Sequence, residues 1–244
     1  MTRWIDNLAI LLALLGLWYL AWWQAGDSAI TPPVQTLKFA LYLLGSADFW
    51  PHVWATVLAF LYALAISAVL GITLGLVLGL HRFSGEVFEP ILASFYTIPK
   101  VTLYPLMLLI FGLGLSAKVA FGVIHGMIPV TLFTLAAVKN IPGVLTRTAR
   151  ALRLSPRQTA LHVLMPAVLP EIISGLRIGF ALTFLGVLIG EMFASQRGLG
   201  FLIINGINQH DVARTTAVIV IVVTAAVLAN GALLRLDRHA RHDV

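Results

Sequence analysis

The sequence contains no cysteine, which excludes disulfides, thiolate nucleophiles and cysteine-ligated metal centres. It is also poor in charge. Only 11% of its 244 residues are Asp, Glu, Lys or Arg, against about a quarter in soluble domains. No Gly-x-x-x-x-Gly-Lys-[Ser/Thr] phosphate loop is present, so the chain is not expected to hydrolyse ATP itself; the stretch from Gly112 to Lys118 comes nearest and lacks the Gly-Lys pair. His-Glu-x-x-His and Gly-x-Ser-x-Gly are missing too, and the chain reads as a non-enzyme with no cofactor of its own. His239 and His242 sit in a tail with Arg235, Arg238 and Arg241, a composition suited to lipid head groups rather than to a metal. There is no low-complexity tract, no internal repeat and no stretch long enough for a large soluble domain: the longest polar segments are 24–50 and 139–172.

What remains is apolar. The chain is 59% hydrophobic, and the solvent for most of it is lipid or other protein. Charge-free runs cover 7–26, 49–81, 101–117, 119–138 and 215–234, and a sixth candidate, about 173–194, carries Arg177 near its start and Glu191 near its end. About 20 apolar residues at 1.5 Å rise each cross the hydrocarbon core. The expectation is an all-α polytopic membrane protein of six spans, forming one transmembrane domain over 1–244. Its first helix and an outer loop would occupy 1–50, and the core region 51–240 would include an inner loop at about 139–172.

The net charge of +6 is read as topology rather than as affinity for nucleic acid. With both termini in the cytoplasm, Arg3, Arg82, Lys139, Arg147, Arg150, Arg153, Arg157, Arg177, Arg235, Arg238 and Arg241 fall inside, Lys38, Lys118, Arg197 and Arg214 fall outside, and Lys100 is assigned to neither side. Trp18, Tyr19, Trp22 and Trp23 at the end of the first span suit an interfacial aromatic belt. That span carries no small-x-small cleavage site and is read as an uncleaved helix. Gly71/Gly75/Gly79, Gly122/Gly126, Gly175/Gly179 and Gly186/Gly190 repeat a four-residue spacing that lets a second backbone approach, either inside the bundle or at a subunit interface.

The inner loop predicts two short helices. One covers about Pro142 to Leu152. The other starts at Ser155, a good N-cap, followed by Pro156 at the first helical position and Gln158 completing a Ser-x-x-Gln box, and Pro166 is expected to limit its far end. Ala160, Leu161, Val163 and Leu164 offer an apolar face. Such a helix is marginal alone. It either lies on the bilayer, helped by Arg147, Arg150, Arg153 and Arg157, or plugs into a cytoplasmic partner, and physical arguments leave both open.

The stretch resembles the EAA loop of permease subunits of ATP-binding-cassette (ABC) importers. Arg147-Thr148-Ala149, Leu152-Arg153-Leu154-Ser155 and Leu164-Met165-Pro166-Ala167-Val168-Leu169-Pro170 align with that pattern, and Glu171-Ile-Ile-Ser-Gly-Leu-Arg-Ile178 extends the match. Two positions depart: Arg147 stands for the glutamate, and Arg153 for a glycine, which permits a bend that a β-carbon opposes. Ile98-Pro99 through Pro105 to Phe111-Gly112-Leu113-Gly114, and Gly190-Glu191-Met192 with Gly198-Leu199-Gly200-Phe201-Leu202-Ile203, are similar to the nitrate, sulfonate and taurine branch. The resemblance implies a type I importer-like permease in the inner membrane, carrying a small solute such as sulfonate, taurine or nitrate. It further implies a second permease copy, two ABC ATPase subunits holding ATP and Mg, and a periplasmic solute-binding protein. It makes the short inner helix a coupling helix, contacting the ATPase through Ala149, Leu152, Arg153, Ser155, Pro156, Gln158, Leu161, Val163, Leu164 and Pro166.

Candidate pathway residues are the polar ones inside spans, where ionisable groups are costly. Lys100 lies between Pro99 and Pro105, which should kink the segment, and either attracts an anion or snorkels to the interface. Glu191 either structures the outer gate or meets substrate. His125, beside Gly126 and near Pro129, is a packing or a pathway histidine; Tyr96, Tyr104 and Met192 complete the set. The alternative function is a secondary transporter driven by an ion gradient, which requires several intramembrane acids and inverted repeats.

Overall fold

The computed structural model describes the backbone of residues 2–242. The side chains of residues 1–5, 7, 82, 194 and 235–244 lie outside the described residues, and with them Arg3, Arg82, Arg235, Arg238, Arg241, His239 and His242. The order is α1 Thr2–Ala25, α2 Pro33–Gly45, α3 Trp50–Leu80, α4 Arg82–Thr97, a 3₁₀ turn Lys100–Leu103, α5 Tyr104–Phe111, α6 Leu115–Lys139, α7 Gly143–Ala151, α8 Pro156–Thr159, a π turn Ala160–Leu164, α9 Met165–Ala194, α10 Leu199–Asn208 and α11 Val212–His242. The described residues contain no strand. Among the described residues, five segments are long and apolar enough to cross a membrane, and six if one sharply bent pair counts as a single span.

That bent pair takes the place of the expected span at 101–117 and carries the kink expected there. Residues Phe83–Thr97 and Lys100–Phe111 meet at 89°. Pro99 supplies the break: it has φ −64° and ψ 91°, and it has no N–H to continue the helix. The expected run also crosses a second break. Gly112, at φ +70°, ends α5 in a conformation that disfavours a β-carbon, and α6 starts anew at Leu115. Helix α4 carries Glu86 and Glu89, so no charge-free run marks it in the sequence.

The second departure concerns Pro166, which does not end the short helix that begins at Pro156. The helix beginning at Pro156 runs on through Phe193 as one 38-residue apolar segment. The π turn explains the continuity. Met165 N donates to Ala160 O, five residues back. This widened turn relieves the crowding that a proline ring imposes on the carbonyl four residues before it.

Two compact units comprise Met1–Thr56 with Glu191–Ala225, and Val57–Gly190 with Ala226–Val244. In the first, the apolar window of α1 buries none of its residues. Its aromatic end is nevertheless anchored: Trp18 Nε1 donates to Thr31 O at 3.0 Å and Trp22 Nε1 to Asp27 Oδ1 at 2.6 Å. The indole N–H groups thus find polar partners.

The second unit is built around α6, with 61% of its window buried. A β-carbon on Gly71, Gly75 or Gly79 of α3 would fall 2.7, 2.5 or 2.7 Å from the β-carbons of Val130, Thr134 and Val138 on α6. Gly175 and Gly179 of α9 meet Phe133 and Val130 in the same manner. The four-residue glycine spacing is therefore spent on helix packing inside this unit. Ala59, Ala63 and Val187 form one buried cluster there; Ala137, Val168 and Ile172 form another. Lys139 Nζ donates to Glu89 Oε2 at 2.6 Å and ties the end of α6 to α4.

Candidate functional site

The hairpin at 139–172 is assembled by two local devices. Helix α7 ends in paired backbone bonds: Arg153 N donates to Arg150 O and Leu154 N to Ala149 O, both at 3.0 Å. This is the closing pattern of a Schellman motif, which places one residue in the left-handed region, most often glycine. Here that residue is Arg153, with φ +49°. The arginine thus makes the bend that its β-carbon opposes. Ser155 then caps the next helix as the sequence implied: Ser155 N donates to Gln158 Oε1 at 2.9 Å, Gln158 N to Ser155 Oγ at 3.3 Å, and Pro156 takes the first helical position.

Between these devices the side chains divide. Ala149 is buried, and Val163, Leu164 and Pro166 are half-buried. Leu152 and Leu161 remain 66% and 53% exposed, in company with Arg153, Ser155, Pro156 and Gln158. The apolar face expected of the short helix is therefore split: Val163 and Leu164 turn toward the chain, Ala160 and Leu161 away from it.

Among the pathway candidates of the second unit, Lys100 Nζ donates to Tyr96 O at 3.1 Å and lies 5.1 Å from the Tyr96 ring centroid. It satisfies a carbonyl that the end of α4 leaves open and complements the negative end of that helix. Tyr104 is buried, and its hydroxyl donates to Gly190 O at 2.6 Å. His125 is also buried, with Nδ1 2.9 Å from Phe121 O, and its ring packs on Gly186. Phe121 joins the two: its centroid is 4.9 Å from that of Tyr104 and 4.6 Å from that of His125. A separate, apolar cavity of about 700 Å³ is walled by Tyr62, Ile66, Met107, Phe111, Val119 and Val123, and none of the pathway candidates lines it.

Glu191 belongs to the other unit and is fully buried. Its Oε2 accepts from Thr56 Oγ1 at 2.8 Å and from Gly200 N at 3.0 Å. Leu199 N donates to Thr56 Oγ1 at 2.8 Å, and Gly198 N to His52 Nδ1 at 3.2 Å. The His52 ring stacks on Phe201, 5.8 Å between centroids. The first amides of α10 are thereby capped by side chains from α3 and α9 in place of a local cap, with a carboxylate at the positive end of the helix. Gly198 makes the approach possible, because a β-carbon there would overlap the Glu191 carboxyl group. Met192, the next residue, is half-buried. Thr56, His52 and the buried Lys118 were not singled out from sequence. Their signal was a polar residue inside an apolar run, and it does not separate a clasp from a packing residue.

The family described as "Binding-protein-dependent transport system inner membrane component" matches residues 67–242. The taurine transport system permease protein TauC of Escherichia coli (strain K12) is 29% identical over 82% of this chain and 74% of that protein. The riboflavin transport system permease protein RibX of Chloroflexus aurantiacus is 37% identical over 75% of this chain and 71% of its own length. In fold, the chain is similar to a subunit of the MetNI methionine ABC transporter in an inward-facing conformation, with TM-score 0.64 and 21% identity over 82% of this chain and 96% of that one.

Proposed function

This chain belongs to the binding-protein-dependent transport system inner membrane component family, and from that premise we propose that its hairpin at 139–172 couples solute passage to ATP hydrolysis on separate subunits. The chain is a multi-pass inner-membrane permease subunit of an ABC importer. The observation that carries the coupling role is the hairpin itself. Its corner and cap are locked by local bonds, yet Leu152 and Leu161 are left exposed. A rigid element with uncovered apolar anchors is made to be gripped.

In this reading both termini and the hairpin lie in the cytoplasm, as the distribution of Lys and Arg favours. Two copies pair and two ATPase subunits hold ATP and Mg below them, while a periplasmic binding protein delivers solute above. ATP binding displaces the hairpin. Because the helix continues from Pro156 into the span ending near Phe193, that displacement reaches the membrane without an intervening loop.

The solute is a small anion of the sulfonate or nitrate class, in keeping with the taurine permease. The higher identity to the riboflavin permease favours a second reading, a heterocyclic vitamin or its precursor. Reconstitution with the ATPase and binding protein, followed by uptake of labelled taurine and riboflavin, separates the two. ATP-dependent uptake of either supports the assignment. Uptake driven by a proton or sodium gradient without the ATPase would overturn it in favour of a secondary transporter.

A further inference from the structure

The formal charges on the hairpin up to Pro170 are all of one sign. From Lys139 to Pro170 the sequence holds Lys139, Arg147, Arg150, Arg153 and Arg157, and no Asp or Glu. All four arginines are exposed. Arg147 Nε donates to Gly143 O at 3.2 Å and Arg150 Nε to Thr146 O at 3.4 Å, which turns part of each guanidinium onto its own helix. Among the described residues, no acid lies within ion-pair distance of any of the four. A cluster of guanidinium groups with no counter-charge beside it among the described residues repels itself, and it is relieved by an anionic surface that accepts hydrogen bonds.

Two surfaces have that chemistry: lipid phosphates and protein carboxylates. The distribution of apolar residues decides between them. A helix lying on a bilayer keeps its apolar face free and its basic face opposite. Helix α7 has turned its apolar side to the chain, with Ala149 buried and Leu145 half-buried. The apolar side chains left outside are interleaved with arginines. Val144 is exposed and three residues from Arg147, and Leu161 is exposed and four residues from Arg157, so each pair shares one helix side. Apolar anchors flanked by arginine are the make-up of a protein interface.

We propose that this hairpin selects an ATPase subunit whose docking cleft is lined with carboxylates, so that charge as well as shape decides which ATPase drives this permease. The inference rests on the coupling role argued above. It turns the arginine at position 147, where the resembling loops have a glutamate, into a determinant of partner choice.

The test measures binding of the ATPase co-expressed with this chain to the chain in nanodiscs of neutral lipid. The expected result is that affinity weakens as salt rises from about 50 to 300 mM. The double substitution Arg147→Glu/Arg150→Glu should lower it by about tenfold or more, and changing cleft carboxylates of the ATPase to lysine should restore it. Arg147→Lys/Arg150→Lys, which keeps the charge and loses the fork, should bind more weakly than the unmodified chain and more tightly than the charge reversal. Salt-independent binding by the unmodified chain, or binding unmoved by charge reversal, overturns the proposal. So does a loss that appears only in nanodiscs containing phosphatidylglycerol, which would give the arginines to the membrane. Leu161→Asp separates the two levels. If it abolishes ATPase stimulation while charge reversal does not, the coupling role stands and charge selection falls. If neither substitution has an effect, both fall.

Discussion

Replacing Glu191 with alanine removes the acceptor for two buried donors, Thr56 Oγ1 and Gly200 N. Hydrogen bonds to a charged group contribute about 1.5–3 kcal/mol each. The two losses are unequal. The Thr56 hydroxyl has a second acceptor in His52 O at 3.3 Å, whereas stranding the Gly200 amide costs about 1–3 kcal/mol. The carboxylate at the positive end of α10 contributes up to about 2 kcal/mol more. Against these stands the desolvation of a buried charge, which alanine relieves. The net expectation is a destabilisation of about 2–4 kcal/mol, or about 4–16 °C in melting temperature for a chain of this size. Glu191→Gln keeps the shape and one carbonyl acceptor and should lose about half as much. Thermal unfolding of the detergent-purified protein, followed by tryptophan fluorescence, reads the global effect; amide exchange at Leu199 and Gly200 reads the local one. Gly198→Ala offers an independent route, because its β-carbon would displace the same carboxylate. The two substitutions should combine less than additively. An alanine variant that melts with the unmodified protein and leaves exchange at Gly200 unchanged would refute the clasp.

Gly75→Ala would set a β-carbon 2.5 Å from Thr134 Cβ and 2.8 Å from Thr131 O, and overpacking of this kind costs about 1–3 kcal/mol. Gly16→Ala, with nothing within 4 Å, should be neutral or gain up to about 1 kcal/mol, and thermal unfolding of the pair distinguishes packing from helix propensity. Arg153→Gly relieves a left-handed non-glycine residue, about 1–2 kcal/mol, and costs about 0.5–1 kcal/mol in chain entropy, so amide exchange at position 153 and at Leu154 should slow slightly. Arg153→Val, a β-branched residue in the same conformation, should accelerate it.

Much of the architecture was legible because the bilayer demands long apolar helices, and charge-free runs report them directly. The capping box at Ser155–Gln158 was legible for a local reason: the residues that bond are the residues that are adjacent. The failures were of two kinds. The bend at Pro99 was foreseen, but α4 was not, because Glu86 and Glu89 disguise a helix that pairs with Lys139 across the fold. Pro166 reads as a terminator in sequence, and only the backbone shows a π turn absorbing it. The Glu191 network joins residues far apart in sequence, His52, Thr56, Glu191 and Gly198–Gly200, and no local pattern announces it. The glycine spacing, by contrast, indicated close helix approach without saying which helices meet, and the structure supplies the partners.

The central claim is that the hairpin carries motion from an ATP-hydrolysing neighbour into the membrane. Its most direct test is the ATPase rate of the assembled complex in proteoliposomes, with and without loaded binding protein, for the unmodified chain and for Leu161→Asp. The account predicts that stimulation by binding protein, and uptake with it, is lost in the variant while the permease remains folded and inserted, since Leu161 is exposed and its replacement leaves the chain's own core intact. Stimulation and uptake equal to those of the unmodified complex would contradict it.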